Sequence, residues 1–164
     1  MKALTLIRHA KSSWSDPRLA DFDRPLNKRG IRDLQSMARR VRDFGLAPDQ
    51  LVTSGAKRAL ETAKALACEL ALRPDQVLVQ PEFYTAGLQE LLCLLRRQND
   101  QWLHLMVVGH NPGLQDLGGY LTGWKLPKFP TAAVVHMHLR IDRWCDLDLA
   151  HGTVELLDYP KLHR

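Results

Sequence analysis

Two histidines and two arginines of this chain lie where short apolar segments end. Ligands bind outside the carboxyl ends of the strands in open α/β sheets, so side chains at such points are expected to share one pocket. A guanidinium group binds the oxygens of an anion, and a neutral imidazole carries a lone pair. These residue types favour chemistry on an anion, in particular on a phosphoryl group. The four residues are Arg8, His9, Arg58 and His110.

The segments that position these residues alternate between strand-like and helix-like patterns. Apolar runs predict six strands, of which the last two are expected to pair antiparallel. The alternation predicts a three-layer α/β/α sandwich with a mostly parallel sheet. The predicted strands are residues 3–8, 51–53, 77–79, 104–108, 133–139 and 153–157.

Helices are predicted between these strands. Asn27 is expected to cap the first helix, since its side-chain oxygen can accept a backbone N–H, and Gly45 is expected to end it. Pro112 is well placed to begin the last helix. The predicted apolar faces are Ile31, Leu34, Ala38 and Val41 for the first helix, and Leu60, Ala63, Ala67 and Leu70 for the second.

Composition and length are those expected of one domain over residues 1–164. The chain is 45% hydrophobic, and 23 Lys and Arg against 18 Asp and Glu give a net charge of +5 at pH 7. Such an excess attracts an anionic ligand. The basic residues are spread along the chain as short pairs, which favours solvated helix surfaces, so no nucleic-acid partner is expected.

The chain shows no sign of membrane insertion, secretion or a cysteine-based site. No apolar segment approaches the ~20 residues that cross a bilayer, and the first apolar run is too short for a signal peptide. We therefore expect a cytoplasmic protein without a membrane partner. The three cysteines form no Cys-x-x-Cys pair, so no zinc or redox motif is indicated. Cys68 and Cys93 are expected to be buried free thiols.

Four sequence elements, in this order, resemble the hallmarks of the histidine phosphatase superfamily. Arg8-His9-Ala10 closes the first strand, and residues 26–30 match the Leu-x-x-x-Gly element of that family. Residues 54–63 match its Ser-x-x-x-Arg-Ala-x-x-Thr-Ala element, and residues 108–112 carry its second histidine. The resemblance covers essentially the whole chain and implies a phosphoglycerate mutase-like fold.

Within that family, the chain resembles the short bacterial branch of protein-phosphohistidine phosphatases (SixA type). It is too short for the long helical lid insertion of the mutases, and it carries Arg24-Pro25-Leu26 before the first helix and Gly-His-Asn-Pro at the second histidine. The resemblance implies removal of a phosphoryl group from phosphohistidine. The implied partner is a phosphorylated protein of a phosphorelay, such as a histidine-containing phosphotransfer domain.

The resemblance also implies roles for the site residues. His9 would be the nucleophile, and water would hydrolyse the phosphohistidine formed on it. Arg8 and Arg58 would bind the non-bridging oxygens, and His110, expected to be protonated, would add a third positive donor. Asn111 is a further candidate for phosphate binding. No metal and no cofactor are implied, because the arginines supply the positive charge.

The general acid is left open between three carboxylates. Asp21 and Asp23 precede the first helix, and Glu82 follows the third strand. A leaving imidazole has a pKa of about 6.5 as a free side chain, so it departs without a strong acid. We therefore expect loss of the carboxylate to cost less on phosphohistidine than on an alkyl phosphate.

Two other functions are kept as alternatives. One is a phosphatase for small phosphate esters, and the other is a binding module that recognises phosphate, which would not need a nucleophile. His136 and His138 alternate along a predicted strand and are expected to line one face of it without a catalytic role. The roles of Trp14 and Lys11 at the rim of the pocket are left open.

Overall fold

A six-stranded sheet forms the centre of the molecule, which a computed structural model describes over residues 1–164. The strand order is β3-β2-β4-β1-β5-β6 in the numbering below. The first four strands are parallel, and β5 is antiparallel to β1 and β6. All six predicted strands and the antiparallel pair are confirmed. The strands are β1 (Lys2–Arg8), β2 (Gln50–Thr53), β3 (Val77–Val79), β4 (His104–Gly109), β5 (Val134–Leu139) and β6 (Gly152–Asp158).

Four helices cover the two faces of the sheet. The first two pack on one hydrophobic core and the last two on the other, which gives the predicted three-layer α/β/α sandwich. No long helical insertion interrupts this order. None of the helices is long and apolar enough to span a bilayer. The helices are α1 (Lys28–Asp43), α2 (Lys57–Glu69), α3 (Leu88–Arg96) and α4 (Gly113–Thr122).

The predicted end signals of α1 are confirmed, but its buried face is shifted. Asn27 Oδ1 accepts the backbone N–H of Gly30 at 2.7 Å, and Gly45 follows the helix with a φ of 87°. Ile31 is 45% exposed, so its predicted place in the core is wrong. The face is turned because Gly30 packs directly on the loop after β1. The buried residues of α1 are Gly30, Leu34, Met37, Ala38 and Val41.

The predicted apolar face of α2 is also wrong in part. Leu60 is exposed, whereas Arg58 and Thr62 are buried. Two polar side chains face inward because they contribute to the site at the end of the sheet. A prediction based on the spacing of apolar residues does not identify a buried helix face that contains polar side chains. The buried residues of α2 are Arg58, Ala59, Thr62, Ala63 and Leu66.

The cysteines are free thiols, but they are not buried. Cys68 on α2 and Cys93 on α3 are both exposed. The prediction that they lie in the core is wrong, because each falls on the outward side of its helix.

The register of the sheet brings the ends of β1, β2 and β4 together. Arg8 at the end of β1 pairs with Gly109 at the end of β4. The backbone N–H of His9 donates to the carbonyl of Gly109 at 3.1 Å, and that of Ser54 donates to the carbonyl of Val108 at 3.3 Å. The residues that directly follow these strands therefore meet at the carboxyl edge of the sheet.

Candidate active site

His9 and His110 lie side by side at this edge. Their ring centroids are 5.1 Å apart, and the rings are inclined by 48°. Arg58 Nε donates to His9 Nε2 at 3.3 Å, and Ser54 Oγ lies 2.6 Å from His110 Nε2. Arg8 is near enough for its charge to act on both rings. The structure thus brings together the four residues that the strand ends predicted.

Local contacts fix the protonation of His9. Its Nδ1 lies 2.7 Å from the carbonyl oxygen of Ala10. A carbonyl only accepts, so Nδ1 carries the proton and Nε2 holds the lone pair. Burial, and then the charges of His110, Arg58 and Arg8, lower the pKa of His9 to about 3, although the bond to Ala10 opposes this. A neutral ring with a lone pair beside Arg58 can attack an electrophile.

Arg8 adds a second positive charge to the site that contains His9 and Arg58. Its Nη1 donates to the carbonyl of Phe129 at 3.2 Å, while its Nε is buried without a hydrogen-bond partner. Burial, and then the charge of Arg58, lower the pKa of Arg8. An anion between the two guanidinium groups would relieve their repulsion and accept the unpaired N–H.

The charge of His110 depends on whether an anion is bound. Burial, and then the charge of Arg58, lower its pKa to about 4, with Asp21 opposing. The free protein therefore carries a neutral His110 near pH 7, and the protonated ring expected beside a bound phosphoryl group stays a prediction. Its Nδ1 is buried without a partner. An anion at this point would raise the pKa of His110, because an opposite charge favours the charged form.

Asp21 is a counter-ion for Arg58. The guanidinium donates to the Asp21 carboxylate at 3.0 Å and to the Asp21 backbone carbonyl at 2.7 Å. The hydroxyl of Tyr84 and the Nη1 of Arg24 also donate to this carboxylate. The hydrogen bond from Tyr84, then those from Arg58 and Arg24, lower the pKa of Asp21 to about 2 against the opposing effect of desolvation. Asp21 is therefore ionised in the free protein at neutral pH, and its role as a general acid stays a prediction.

Glu82 is placed away from this cluster. It is exposed and lines a separate pocket with Arg97, Gln98 and Trp102. The role of Glu82 as a general acid stays a prediction, which this placement does not favour. Asp23, the third candidate, is exposed.

Asn111 has its polar atoms engaged within the protein. Its amide nitrogen donates to the carbonyl of Phe129 at 2.8 Å and to Gln115 Oε1 at 3.2 Å. Its Oδ1 accepts the backbone N–H of Gln115 at 3.2 Å. Both side-chain N–H groups are engaged in this way, so the phosphate contact of Asn111 stays a prediction. Asn111 instead positions Phe129, whose carbonyl also holds Arg8.

Thr62 joins α2 to the loop after β1. Its hydroxyl accepts the backbone N–H of Ala10 at 3.0 Å and donates to the carbonyl of Arg58 at 2.7 Å. This pair of bonds sets the loop that carries His9 against the helix that carries Arg58. Thr62 is not among the predicted site residues, although it stands in the matched element at residues 54–63.

Tyr84 is a site residue that no local sequence pattern predicts. Its ring packs edge-on against His110, with centroids 5.5 Å apart, and lies 5.9 Å from the Arg58 guanidinium. Its hydroxyl donates to Asp21. Tyr84 reaches these partners only through the fold, because it follows β3, outside every matched element.

The rim of the site carries an exposed aromatic side chain. Trp14 is 74% exposed, and the guanidinium carbon of Arg24 lies 3.1 Å from the centroid of its ring. Arg24 also donates to Ser12 Oγ at 2.6 Å and to Asp21 at 3.0 Å. Trp14 thus packs on Arg24, which holds together the loop between β1 and α1. The carbonyl of Lys11 accepts the backbone N–H of Asn27 at 3.0 Å.

Comparison with known proteins assigns the family. The model of the histidine phosphatase superfamily (branch 1) matches residues 4–83. An uncharacterized chloroplast protein of Arabidopsis thaliana is 31% identical over 130 residues, which cover 74% of this chain and 60% of that protein. This chain therefore spans less than two thirds of the length of that relative.

Solved structures agree with this assignment. A protein of Agrobacterium tumefaciens provisionally named phosphohistidine phosphatase SixA has a TM-score of 0.83 and 25% identity, covering 97% of this chain and 98% of that one. A protein histidine phosphatase SixA solved with tungstate has a TM-score of 0.82 and 21% identity, covering 99% of both chains. The chain belongs to the histidine phosphatase superfamily, with the phosphoglycerate mutase-like fold. Within that family it is of the SixA type, which lacks the large lid insertion.

Proposed function

We propose that this protein is a phosphatase that removes the phosphoryl group from phosphohistidine in another protein, with His9 as the nucleophile. The observation that carries the proposal is the state of His9. Its Nδ1 proton is committed to Ala10, and its Nε2 lone pair lies beside the guanidinium of Arg58. A nucleophile next to a group that binds phosphate oxygens is the arrangement that phosphoryl transfer requires.

The reaction has two steps, transfer of the phosphoryl group to His9 and hydrolysis of the phosphohistidine formed there. His9 Nε2 attacks phosphorus in line, the new N–P bond forms, and the bond between phosphorus and the substrate imidazole breaks. The leaving imidazole keeps the electron pair and takes a proton from solvent. Water then attacks the phosphorus on His9, the N–P bond breaks, and inorganic phosphate leaves as His9 returns to its neutral form.

The surrounding charges stabilise the transition state. Arg8 and Arg58 bind the equatorial oxygens, and His110 donates to the same group once the bound anion favours its protonated form. A preorganised donor of this kind is worth about 3–4 kcal/mol of barrier. Two arginines supply the charge that a metal supplies elsewhere, so we propose that turnover is metal-independent.

Selectivity follows from the ionised state of Asp21. With this carboxylate deprotonated, Asp21 has no proton to give to a strongly basic leaving alkoxide. A leaving imidazole needs no such acid, since its pKa is about 6.5 as a free side chain. The site therefore suits phosphohistidine better than alkyl phosphates. We propose a phosphorylated histidine-containing phosphotransfer domain as the partner.

A panel of substrates tests this proposal. We expect kcat/KM to be highest on a phosphorylated histidine-containing phosphotransfer domain, lower on p-nitrophenyl phosphate and lowest on sugar phosphates, and EDTA to have no effect. His9→Ala is the inactive control, and Glu82→Gln is the matched carboxylate control that keeps full activity. A sugar phosphate turned over as fast as the phosphoprotein would support the small-ester alternative. Tight phosphate binding without turnover would support the binding-module alternative.

The setting of the reaction is part of the proposal. We propose that residues 1–164 act as one histidine phosphatase domain in the cytoplasm. Three free thiols without a disulfide are consistent with a reducing compartment. Cell fractionation with an antibody to the protein would check the location, and recovery in a membrane or extracellular fraction would contradict it.

A further inference from the structure

A second cluster of histidines lies toward the other end of the central strands from the candidate active site. His104 begins β4, whereas the active site lies beyond the end of that strand. The ring centroids of His104 and His136 are 5.0 Å apart, and those of His136 and His138 are 5.4 Å apart. Glu155 on β6 completes the group, with its carboxylate 2.5 Å from His138 Nε2. The proposed phosphatase reaction uses none of these side chains.

A chain of hydrogen bonds links His136 to His104. Thr5 Oγ1 lies 2.7 Å from His104 Nε2 and 2.7 Å from His136 Nδ1. The hydroxyl has a single proton, so it donates to one ring and accepts from the other. When Thr5 accepts from His136, the proton of that ring is on Nδ1 and its lone pair is on Nε2.

In that tautomer the lone pair faces a carboxylate. His136 Nε2 lies 3.4 Å from Glu155 Oε2, so both atoms are then acceptors. The side chain of His136 is only 5% exposed, and burial favours the neutral ring. Two acceptors that face one another at this distance are stabilised by a cation placed between them.

An irregularity in the sheet directs Glu155 to this position. His136 pairs with Leu156 and Met137 with Val154, so Glu155 is the extra residue of a bulge between β5 and β6. A bulge re-aims a side chain that would otherwise alternate with its neighbours. Here it brings a carboxylate onto the face that carries the two histidines. The sequence analysis assigned no metal, because this pairing is not visible in the spacing of the residues.

We propose that His136, His138 and Glu155 bind a divalent transition metal of the Zn²⁺ class. Two imidazole nitrogens and one carboxylate oxygen are ligands that Zn²⁺ takes, and their ligand atoms lie within 4.8 Å of one another. Tetrahedral bonds of about 2.1 Å place neighbouring ligand atoms about 3.4 Å apart. The separation of His136 Nε2 from Glu155 Oε2 is 3.4 Å.

The remaining ligands complete the site with small movements. His138 is 48% exposed and free to move outward from its hydrogen bond to Glu155. Water takes the fourth position, on the solvent side. Thr5 can accept the Nδ1 proton of His136 and so support the tautomer that presents Nε2, as the outer partners of metal-binding histidines do.

Calorimetric titration with Zn²⁺ tests the site. The protein is first stripped with a chelator, and all variants carry His9→Ala so that the active-site histidines do not form a metal site together. We expect one Zn²⁺ per chain, and an affinity at least about tenfold weaker in both Glu155→Gln and His138→Ala. Both residues are about half exposed, so these variants are expected to fold. His163→Gln is the matched control, because His163 pairs with only a single carboxylate, that of Asp158.

A spectroscopic measurement supports the titration. Co²⁺ in the same protein is expected to give the visible absorption of a tetrahedral site, and Glu155→Gln is expected to abolish it. Equal Zn²⁺ affinity in the two ligand variants and their parent would overturn the proposal, as would the absence of binding by the parent. Neither result depends on phosphatase turnover.

Discussion

At the residue scale, the positive charge of the site is carried by its arginines and not by its histidines. Both histidines of the site are neutral in the free protein, and the arginines carry the positive charge. Arg58 links the nucleophile to the carboxylate, because its Nε donates to His9 and its Nη2 donates to Asp21. The nucleophile and the phosphate-binding group are therefore oriented by one side chain, and the ionised Asp21 fixes that side chain.

The pH dependence of turnover is a direct consequence of the lowered pKa of His9. Protonation of Nε2 removes the nucleophile, and the pKa of this ring is about 3, not 6.5. We expect kcat/KM on p-nitrophenyl phosphate, corrected for ionisation of the substrate, to fall only below about pH 4. Circular dichroism at each pH would confirm that the protein is folded. An acidic limb centred near pH 6.5 would contradict this assignment.

Replacement of Asp21 distinguishes a positioning residue from a general acid. Asp21→Asn removes the charge that orients Arg58, so we expect kcat to fall about 100-fold on phosphohistidine and on alkyl phosphates alike. A general acid would instead give the unequal losses that were expected from the sequence. Steady-state kinetics on both substrates, with Glu82→Gln as control, measures the effect. A loss confined to alkyl phosphates would restore Asp21 as an acid.

At the element scale, local sequence patterns predicted the strands and the ends of α1. The buried faces of the helices and the ionisation of the site residues depend on contacts between distant parts of the chain. Asn27 and Gly45 act on neighbouring backbone groups, so the sequence alone revealed them. The pKa of Asp21 depends on Tyr84, which lies far along the chain, so the general acid could not be assigned from spacing. The face of α2 was misplaced because Arg58 is polar and yet buried.

The packing of α1 on the loop after β1 gives a prediction at this scale. A Cβ at Gly30 would lie 2.1 Å from the backbone carbonyl oxygen of Lys11. We expect Gly30→Ala to lower the free energy of unfolding by about 1–3 kcal/mol, because the loop must shift. It is also expected to reduce kcat, since His9 precedes that loop.

Urea denaturation and kinetics on the same samples measure both effects of Gly30→Ala. Ser36→Ala, on the exposed side of α1, is the control and is expected to change neither quantity. Unchanged stability in Gly30→Ala would show that helix and loop do not pack as described.

At the scale of the whole molecule, buried neutral histidines link stability to pH. Burial is the main cause that lowers the pKa of His9 to about 3, and of His104 and His110 to about 4. In the unfolded chain these rings titrate near 6.5. Below that pH the unfolded state binds more protons than the folded state, so stability rises with pH across this interval.

The free energy of unfolding is therefore expected to fall steadily from about pH 6.5 to pH 4 and to be nearly flat, as far as these three groups are concerned, from pH 7 to pH 8. Urea titrations at half-unit steps measure this dependence. His110→Gln removes one of the three groups and is expected to make the slope shallower. A stability that increases on acidification through this range would contradict the burial of these rings.

The most direct test of the account is detection of a phosphoenzyme. The protein is mixed with a ³²P-labelled phosphohistidine phosphotransfer domain, quenched with alkali within milliseconds and digested for mass spectrometry. We predict an acid-labile, alkali-stable phosphoryl group on His9 that forms and decays at the rate of turnover and is absent from His9→Ala. Full turnover by His9→Ala, or label on any other residue, would contradict the assignment of His9 as the nucleophile.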